Sequence, residues 1–550
     1  MRVSILAALA AVLMPAAAPH CFAQSPALPA APQVTVGAPV LKVLQFNWLP
    51  VPGATQYELY FKPNASSPFA LYGNPIQAPR TIASLTIPVH TLDWVNARYK
   101  VSACNAAGCT DSAEISVQDL MLTSIGYVKA SNPDASDAFG YRLQLSQDGN
   151  TLVASAFEGS NATGVNGNQA DNSSAASGAV YVFRRVGAGW RQEAYLKPDM
   201  NHSFQYFGLS FQAEQRSISV SANGALVAVG APGEQFGTVP LAGAVYLFAR
   251  AANGTWSQSY KIQLPTPQYY DYFGMAVDLN DAGTLLEVSS KAPYTSQMQS
   301  VGTTRVFKLV AGVWVLDASF IPERDQSCPS RMSGSGSVIV SICSGGDGRS
   351  SLRAYTQIGG NWTRMQDMQL YDQTRSFVPT VSGNGARVAV AIRNPYTGTD
   401  QVLVLLPYYK QWLPEAYIEP PPGAVDNSMR GWGESLAFNR NGTMLAIGNS
   451  KSSNGGAGVS DLPQPASSPP PSNQDGAVYV YQRGESGWTF LKMVKAPNPA
   501  HEDFFGRDIA LSGNGLTLAV GALGEDSAAR GIDGNQANNS KETAGAVYLY

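Results

Sequence analysis

Three aspartates share one spacing: Asp137, Asp271 and Asp503 each stand two residues before the phenylalanine of a Phe-Gly pair, at Phe139-Gly140, Phe273-Gly274 and Phe505-Gly506. Carboxylates repeated in this way could converge on a cation or a sugar. A short acidic side chain that bonds its own turn accounts for the same spacing with no ligand. A second candidate set lies in two nearly identical decapeptides, Gly164-Val-Asn-Gly-Asn-Gln-Ala-Asp-Asn-Ser173 and Gly531-Ile-Asp-Gly-Asn-Gln-Ala-Asn-Asn-Ser540. On rigid loops, Asn168, Gln169, Asp171, Asn535, Gln536 and Asn538 would offer polar groups to a glycan or a protein. The alternative is a self-packing turn whose amides bond their own backbone. Nucleophile elbows, phosphate loops and His-Glu-x-x-His pairs are missing from the sequence, and four histidines make a His-based triad a poor expectation. Acidic residues from separate loops could still meet as they do in glycosidases, so a carbohydrate-active lyase or hydrolase is the catalytic alternative. No cofactor is implied.

The 550 residues exceed what one ordinary core organises, so a small and a large domain are expected. With 36 basic and 39 acidic side chains the net charge is −3, which argues against a nucleic-acid partner. The start of the chain runs from Arg2 through an apolar stretch, Ile5 to Met14, to small residues ending at Ala23, the pattern of a cleavable secretory signal over 1–23. Cys21 sits where a lipidated cysteine would, but Ala18-Pro19-His20 before it is a poor lipobox. The apolar run is too short to remain as a transmembrane segment, and no later stretch reaches spanning length. A secreted, periplasmic or cell-envelope location is therefore expected. In such an oxidising compartment the four remaining cysteines should pair locally, Cys104 with Cys109 and Cys328 with Cys343. His90, His202 and His501 do not accompany them at zinc-ligand spacing.

Residues 24–33 are rich in Pro and Ala and read as a linker. After them Phe46-Asn-Trp48, a Pro-Val-Pro-Gly turn and Tyr57-Glu-Leu-Tyr60-Phe61 read as strand, turn, strand, and Arg98 to Cys104 alternates again. Trp48 with the later Tyr-x-Val-x-Ala strand resembles a fibronectin type III domain over 34–118. That resemblance implies a small β-sandwich serving as a spacer or weak binding unit, with Trp48 in its core and Tyr99 at the sandwich corner.

Beyond residue 120 the sequence repeats. A tryptophan follows a short turn at Trp190, Trp256, Trp314, Trp362, Trp412 and Trp488. In most copies there follow an alternating strand, a Phe-Gly or its substitute (Phe207-Gly208, Trp432-Gly433), an apolar strand such as Leu226 to Pro232, and a Gly-Ala-Val-Tyr strand at 178–181, 243–246, 476–479 or 545–548. Each unit thus offers four short strands, the content of one propeller blade. Seven units are counted, the fourth and fifth having lost Phe-Gly and Gly-Ala-Val-Tyr. The seventh lacks its Trp strand, and Leu120 to Lys129 has the matching pattern, so 120–129 should complete the last blade and leave no open edge.

Phe-Gly, Gly-Ala-Pro and Gly-Ala-Val-Tyr in that order resemble the FG-GAP repeats of integrin α-subunit propellers and their exported bacterial relatives, over 120–550. The fold expected is all-β, a seven-bladed β-propeller preceded by a small β-sandwich. The family's first turn often holds calcium through alternate oxygens. Here its first, third and fifth positions are Gln144, Ser146 and Asp148 in unit one and Ala510, Ser512 and Asn514 in unit seven; unit three has Asp278 and Asn280, then Ala282. The ninth is apolar throughout, at Leu152, Val227, Leu286, Ile339, Val388, Leu445 and Leu518. A tight hairpin without metal is expected. The function implied is non-catalytic binding or adhesion, with an enzyme site at the channel or a ligand-free scaffold as alternatives. Strand parity places the long loops 450–475, 523–544 and 158–177 on one rim of three neighbouring units.

Overall fold

A computed structural model describes residues 26–550, apart from 41–42, 64, 87–96, 118–119, 121–124, 188, 211–214, 292–300, 323–327, 345–349, 371–377, 395–396, 425–430, 462 and 464–473. The expected leader with Cys21, His90, and part of the loop 450–475 lie outside the described residues. Every described element with stated bounds is a β-strand.

In the N-terminal unit, Val34–Val40, Val43–Trp48 and Ile82–Thr86 form one antiparallel sheet, and Gln56–Lys62 and Arg98–Asn105 centre a second. Period-two patterning points Leu44, Phe46 and Trp48 inward, where they meet Tyr57, Leu59, Tyr99 and Val101 in one buried core. Tyr99 is fully buried there, but its hydroxyl has no hydrogen-bond partner among the described residues. The hydroxyl that ties down a turn is that of Tyr57, which accepts the Val51 N–H at 2.8 Å. Tyr99 is the second residue of its strand, opposite Phe61. Cys104 and Cys109 face each other across a hairpin and are disulfide-bonded.

From Gly126 onward the described strands form seven antiparallel sheets. The first comprises Leu143–Leu145, Thr151–Ala156, Ala179–Val186 and Gly189–Leu196, in that order, and the others repeat this path. The fourth and fifth are present although their motifs have eroded. In the fourth the outer strand is split into Asn361–Arg364 and Met368–Leu370. A bulge recurs between third and fourth strands, for instance at Val182/Phe183, Leu247/Phe248 and Val480/Tyr481, adding twist where the sheets splay outward. The last sheet is assembled from both ends of the repeat region: Gly126–Val128 pairs with Ala546–Leu549 through Gly126↔Leu549, Tyr127↔Tyr548 and Val128↔Val547.

Apolar cores lie between the sheets. One holds Val128, Phe139, Tyr181 and Val547, joining the seventh sheet to the first; another joins the first to the second around Val180, Phe207 and Tyr246. The same holds at every successive joint round to the sixth and seventh. The joint between the third and fourth sheets has the smallest apolar cluster, around Val306, Met332 and Ile339. Polar bonds supplement it: Glu287 accepts from Ser289 at 3.0 Å and from Ser330, and Asp278 accepts the Met332 N–H at 3.1 Å. The Cys328–Cys343 disulfide lies in this fourth sheet.

The turns between first and second strands form a closed belt of main-chain bonds. Asp148 N–H bonds Ala222 O (3.3 Å), Ala222 N–H bonds Asp281 O (3.0 Å), Asp281 N–H bonds Gly334 O (2.6 Å) and Ser335 N–H bonds Gly383 O (2.6 Å). Asn384 N–H then bonds Arg440 O (2.8 Å), Arg440 N–H bonds Gly513 O (3.0 Å), and Gly513 N–H returns to Gln147 O (2.9 Å). Each turn is linked to the next, and the seventh to the first.

Candidate binding face

The belt occupies one face; the loops joining second to third strands and fourth to first strands occupy the other. On the belt side, the positions where calcium ligands would stand are bonded to one another. Ser146 donates to Asp148 Oδ1 while its hydroxyl accepts Thr151 N–H at 3.0 Å, and Ser512 with Asn514 repeats the device at 2.8 Å. The seven apolar ninth positions are fully buried.

On the loop side, Phe-Gly and Gly-Ala-Val-Tyr are two halves of one joint. The Phe207 N–H bonds Ser177 O at 2.9 Å and the Phe505 N–H bonds Asp475 O at 3.1 Å, so the phenylalanine of each Phe-Gly zips onto the preceding sheet. A Cβ on Gly243, at φ +82°, would lie 2.2 Å from Phe273 O, so only glycine allows the neighbouring backbone this close. The phenylalanines are buried against the third strand of their own sheet, as Phe139 on Tyr181 (5.3 Å) and Phe207 on Tyr246 (5.7 Å). Asp137, Asp271 and Asp503 each accept the backbone N–H three residues earlier, at 2.7, 2.6 and 2.7 Å, from Asp134, Gln268 and Ala500. They brace their own turns and do not converge. Burial pushes the carboxyls of Asp137 and Asp503 up to about 7.

The two decapeptides fold back along the outermost strands of the first and seventh sheets. Asn166 N–H bonds Tyr195 O and Asp533 N–H bonds Tyr127 O, both at 2.8 Å, which covers edge strands that would otherwise be open. Asn168 accepts the Ala170 N–H (3.1 Å) and Asn535 the Ala537 N–H (3.0 Å). Asp171 accepts Ser173 N–H and Oγ–H (2.8 and 2.7 Å), which holds its carboxyl below the usual range, and Asn538 does the same with Ser540 (3.0 and 2.6 Å). Gln169 takes the Ser131 hydroxyl on its side chain and Asn132 on its carbonyl at 2.9 Å; Asn498 holds the Gln536 carbonyl at 3.2 Å. Asn168 and Asn535 are nonetheless exposed, with the other four half-buried.

Beneath these loops lie buried ionic sets that the sequence reading missed. Glu158 accepts Tyr195 Oη at 2.7 Å and Asn132 Nδ2 at 3.2 Å and lies 3.5 Å from Lys197, whose ammonium also reaches Gly178 O at 2.7 Å. Burial pushes Lys197 down to about 8 and raises Glu158. Glu525 holds Tyr127 Oη and Lys129 Nζ, both at 2.7 Å, and Glu234 holds Lys261 at 2.9 Å. The signal was present, since a glutamate follows the apolar second strand at Glu158, Glu234 and Glu525, and a lysine ends the outer strand at Lys129 and Lys197.

Along the axis, a polar cavity of about 120 Å³ is lined by Gln144, Arg216, Ser219, Asp278, Arg331 and Thr380 among others. Its acids have cationic or main-chain partners: Asp278 takes the Met332 N–H at 3.1 Å, and Asp281 takes Arg440 from the sixth sheet.

The FG-GAP repeat family model matches residues 488–550, which contain the first three strands of the last sheet. No curated protein matches by sequence. Among solved structures the chain is similar to the β-propeller domain of Myceliophteria thermophila Cps50 (Swd1), at 11% identity and a TM-score of 0.43 over 77% of this chain and 97% of that one. It is also similar to Kuenenia stuttgartiensis hydrazine synthase (12%, 0.40, 72% and 94%) and to the Pseudomonas aeruginosa periplasmic gluconolactonase PpgL (13%, 0.38, 81% and 97%). No function is carried over from these. The architecture rests on the chain's own sheets, and its last repeat is similar to FG-GAP: the protein is an all-β chain of propeller type.

Proposed function

We propose that the seven sheets are blades of one seven-bladed propeller, carried behind a fibronectin type III-like sandwich, and that the protein is an exported, non-catalytic binding protein. Its partner, a protein or a glycan, docks on the face carrying the second-to-third and fourth-to-first strand loops. The observation that carries this reading is the rigidity of that face: buried Lys–Glu–Tyr sets pin the loop roots while polar and aromatic side chains above them stay exposed. The acids that repeat on the face, and those on the axis, are spent on backbone N–H groups, lysines and arginines, a poor arrangement for a pair of catalytic carboxyls. The two disulfides accord with folding outside the cytoplasm.

The test is a panel of glycans and matrix proteins offered to the mature protein with and without EDTA, repeated after both decapeptides are replaced by Gly-Ser linkers of equal length. Binding that survives EDTA and is lost on replacement is expected. Unchanged binding with lowered thermal stability would leave the decapeptides only their edge-covering role, and turnover of a glycan would overturn the non-catalytic reading.

A further inference from the structure

Four loops lead into Phe-Gly with one backbone. In each, the residues three and one before the phenylalanine have positive φ: Ser136 and Ala138 (69° and 47°), Phe204 and Tyr206 (61° and 56°), Tyr270 and Tyr272 (68° and 48°), Glu502 and Phe504 (61° and 52°). Serine and alanine hold the turn in the first sheet, and glutamate takes one of its two positions in the seventh, so the turn itself does not call for a pair of aromatic rings. Bulky residues are costly at such angles. Yet the loops before the second and third sheets place aromatics at all four positions and add Tyr269 beside them. Phe204 and Tyr269 are more than half exposed, at 55% and 52%, so they contribute little to the core.

These rings cluster within each loop, and Tyr206 of the first lies near enough to Tyr272 of the second to act on its hydroxyl. Phe204 and Tyr206 lie 6.3 Å apart, Tyr270 and Tyr272 5.6 Å, and Tyr269 and Tyr270 3.7 Å with their hydroxyls bonded at 2.7 Å. The loop joining the second sheet's second and third strands touches both loops and holds them in place. A Cβ on Gly233 would sit 2.0 Å from Phe204 O, and further along the same loop Leu241 O accepts the Tyr272 N–H at 3.0 Å. Over this platform Lys291 places its ammonium 5.4 Å from the Tyr270 ring and 6.0 Å from the Tyr272 ring.

We infer that Phe204, Tyr206, Tyr269, Tyr270 and Tyr272 with Lys291 form a binding platform for a polysaccharide that carries carboxylates. The C–H face of a pyranose ring packs on an aromatic face, tyrosine hydroxyls at the ring edges meet sugar hydroxyls, and Lys291 meets the uronate. A row of tyrosines with one cation suits this ligand better than an aliphatic protein surface, which would call for Leu, Ile and Met. The inference rests on the proposed binding face and places the contact on residues other than the decapeptides, beside the loop that carries the first of them, where the Phe204 N–H bonds Ala175 O at 2.8 Å.

The experiment is native affinity electrophoresis in gels containing polygalacturonate, alginate, or the neutral chains laminarin and xylan. Wild type should be retarded by one or both acidic chains, with retardation falling as salt is raised. The pair Tyr269→Ala/Tyr270→Ala and the single change Phe204→Ala should weaken it about tenfold or more, and Lys291→Gln about fivefold with loss of the salt dependence. Tyr409→Ala, at a side chain 88% exposed on the hairpin following Asp400–Tyr408, should change nothing, and melting curves of all variants should match wild type. Lack of retardation by either acidic chain, equal retardation by laminarin or xylan, or full retention in the tyrosine pair would each overturn the platform. Retention in the tyrosine pair with loss on decapeptide replacement would overturn the platform alone and leave the binding face standing.

Discussion

Asp503 shows how much a single repeated side chain can mislead. Its carboxyl, 2% exposed, is spent on the Ala500 N–H, and burial, with Glu525, Asp526 and Asp475 nearby, raises it to about 7. A carboxyl whose folded value lies above its unfolded value holds its proton more tightly in the folded state, so the fold loses stability as pH rises from about 4 to about 7. Asp503→Asn keeps an acceptor for the Ala500 N–H and removes the titration. The variant should match or fall slightly below wild type at pH 4 and exceed it at pH 8 by on the order of 2 kcal/mol, read from urea melts at the two pH values. A constant difference between the two would show that the carboxyl is not held neutral by its site. The spacing of Asp137, Asp271 and Asp503 was legible in the sequence, and so was the turn-bracing alternative. The partners of Glu158 were not, because Lys197 lies 39 residues away and meets it only once the sheet register is set. Tyr57 and Tyr99 were ambiguous for a like reason: both alternate inward, and only the turn geometry decides which hydroxyl reaches a backbone N–H.

Strands and their order were legible from the repeat, since each unit carries its own turn residues and period-two patterning. The seams between neighbours were less so. The outer edge of the fifth and sixth sheets is clasped by Glu415, which takes Arg387 at 2.8 Å, Arg483 at 2.6 Å and Trp488 Nε1 at 3.3 Å. Glu193 does the same for Arg250 and Trp256 between the first and second sheets, and Asp317 takes Trp362 between the third and fourth. Each acid stands three residues after the tryptophan of its own unit and holds the tryptophan of the next, a pattern visible only after the two units are set side by side. The bonds from the two arginines and the indole outweigh desolvation and hold the Glu415 carboxyl down at about 2. A depressed carboxyl contributes stability above its unfolded value and loses it as pH falls toward the folded one. Glu415→Gln should therefore cost about 2 kcal/mol at pH 7 and progressively less from pH 4.5 toward pH 2. Thermal melts across that range check it, and a cost independent of pH would mean that the clasp works by shape and not by charge.

At the scale of the molecule, the belt of first-turn bonds and the pairing of Gly126–Val128 with Ala546–Leu549 link each sheet to two neighbours. Tyr550 adds to the closure: it is fully buried, exchanges main-chain bonds with Leu518 at 2.9 Å, and donates its hydroxyl to Lys495 O at 2.6 Å. Removing residues 546–550 should leave Gly126–Val128 without its partner strand and expose the second strand of the last sheet. Gel filtration should then show self-association, and the melting temperature should fall by ten degrees or more, on the order of 3 kcal/mol or above. A monomer of unchanged stability would mean that closure contributes little.

That closure also sets an order in time. Tyr127 is among the first residues of the repeat region to leave the ribosome and Tyr548 among the last, yet they are paired directly. Each intermediate sheet can zip onto the one before it, whereas the core holding Val128, Phe139 and Val547 has to wait until Ala546–Leu549 has been made. Until then the growing chain carries one sticky apolar flank at its front and another at its rear. A chain in that condition is prone to stick to its neighbours, and calls for a holding chaperone until the two flanks meet.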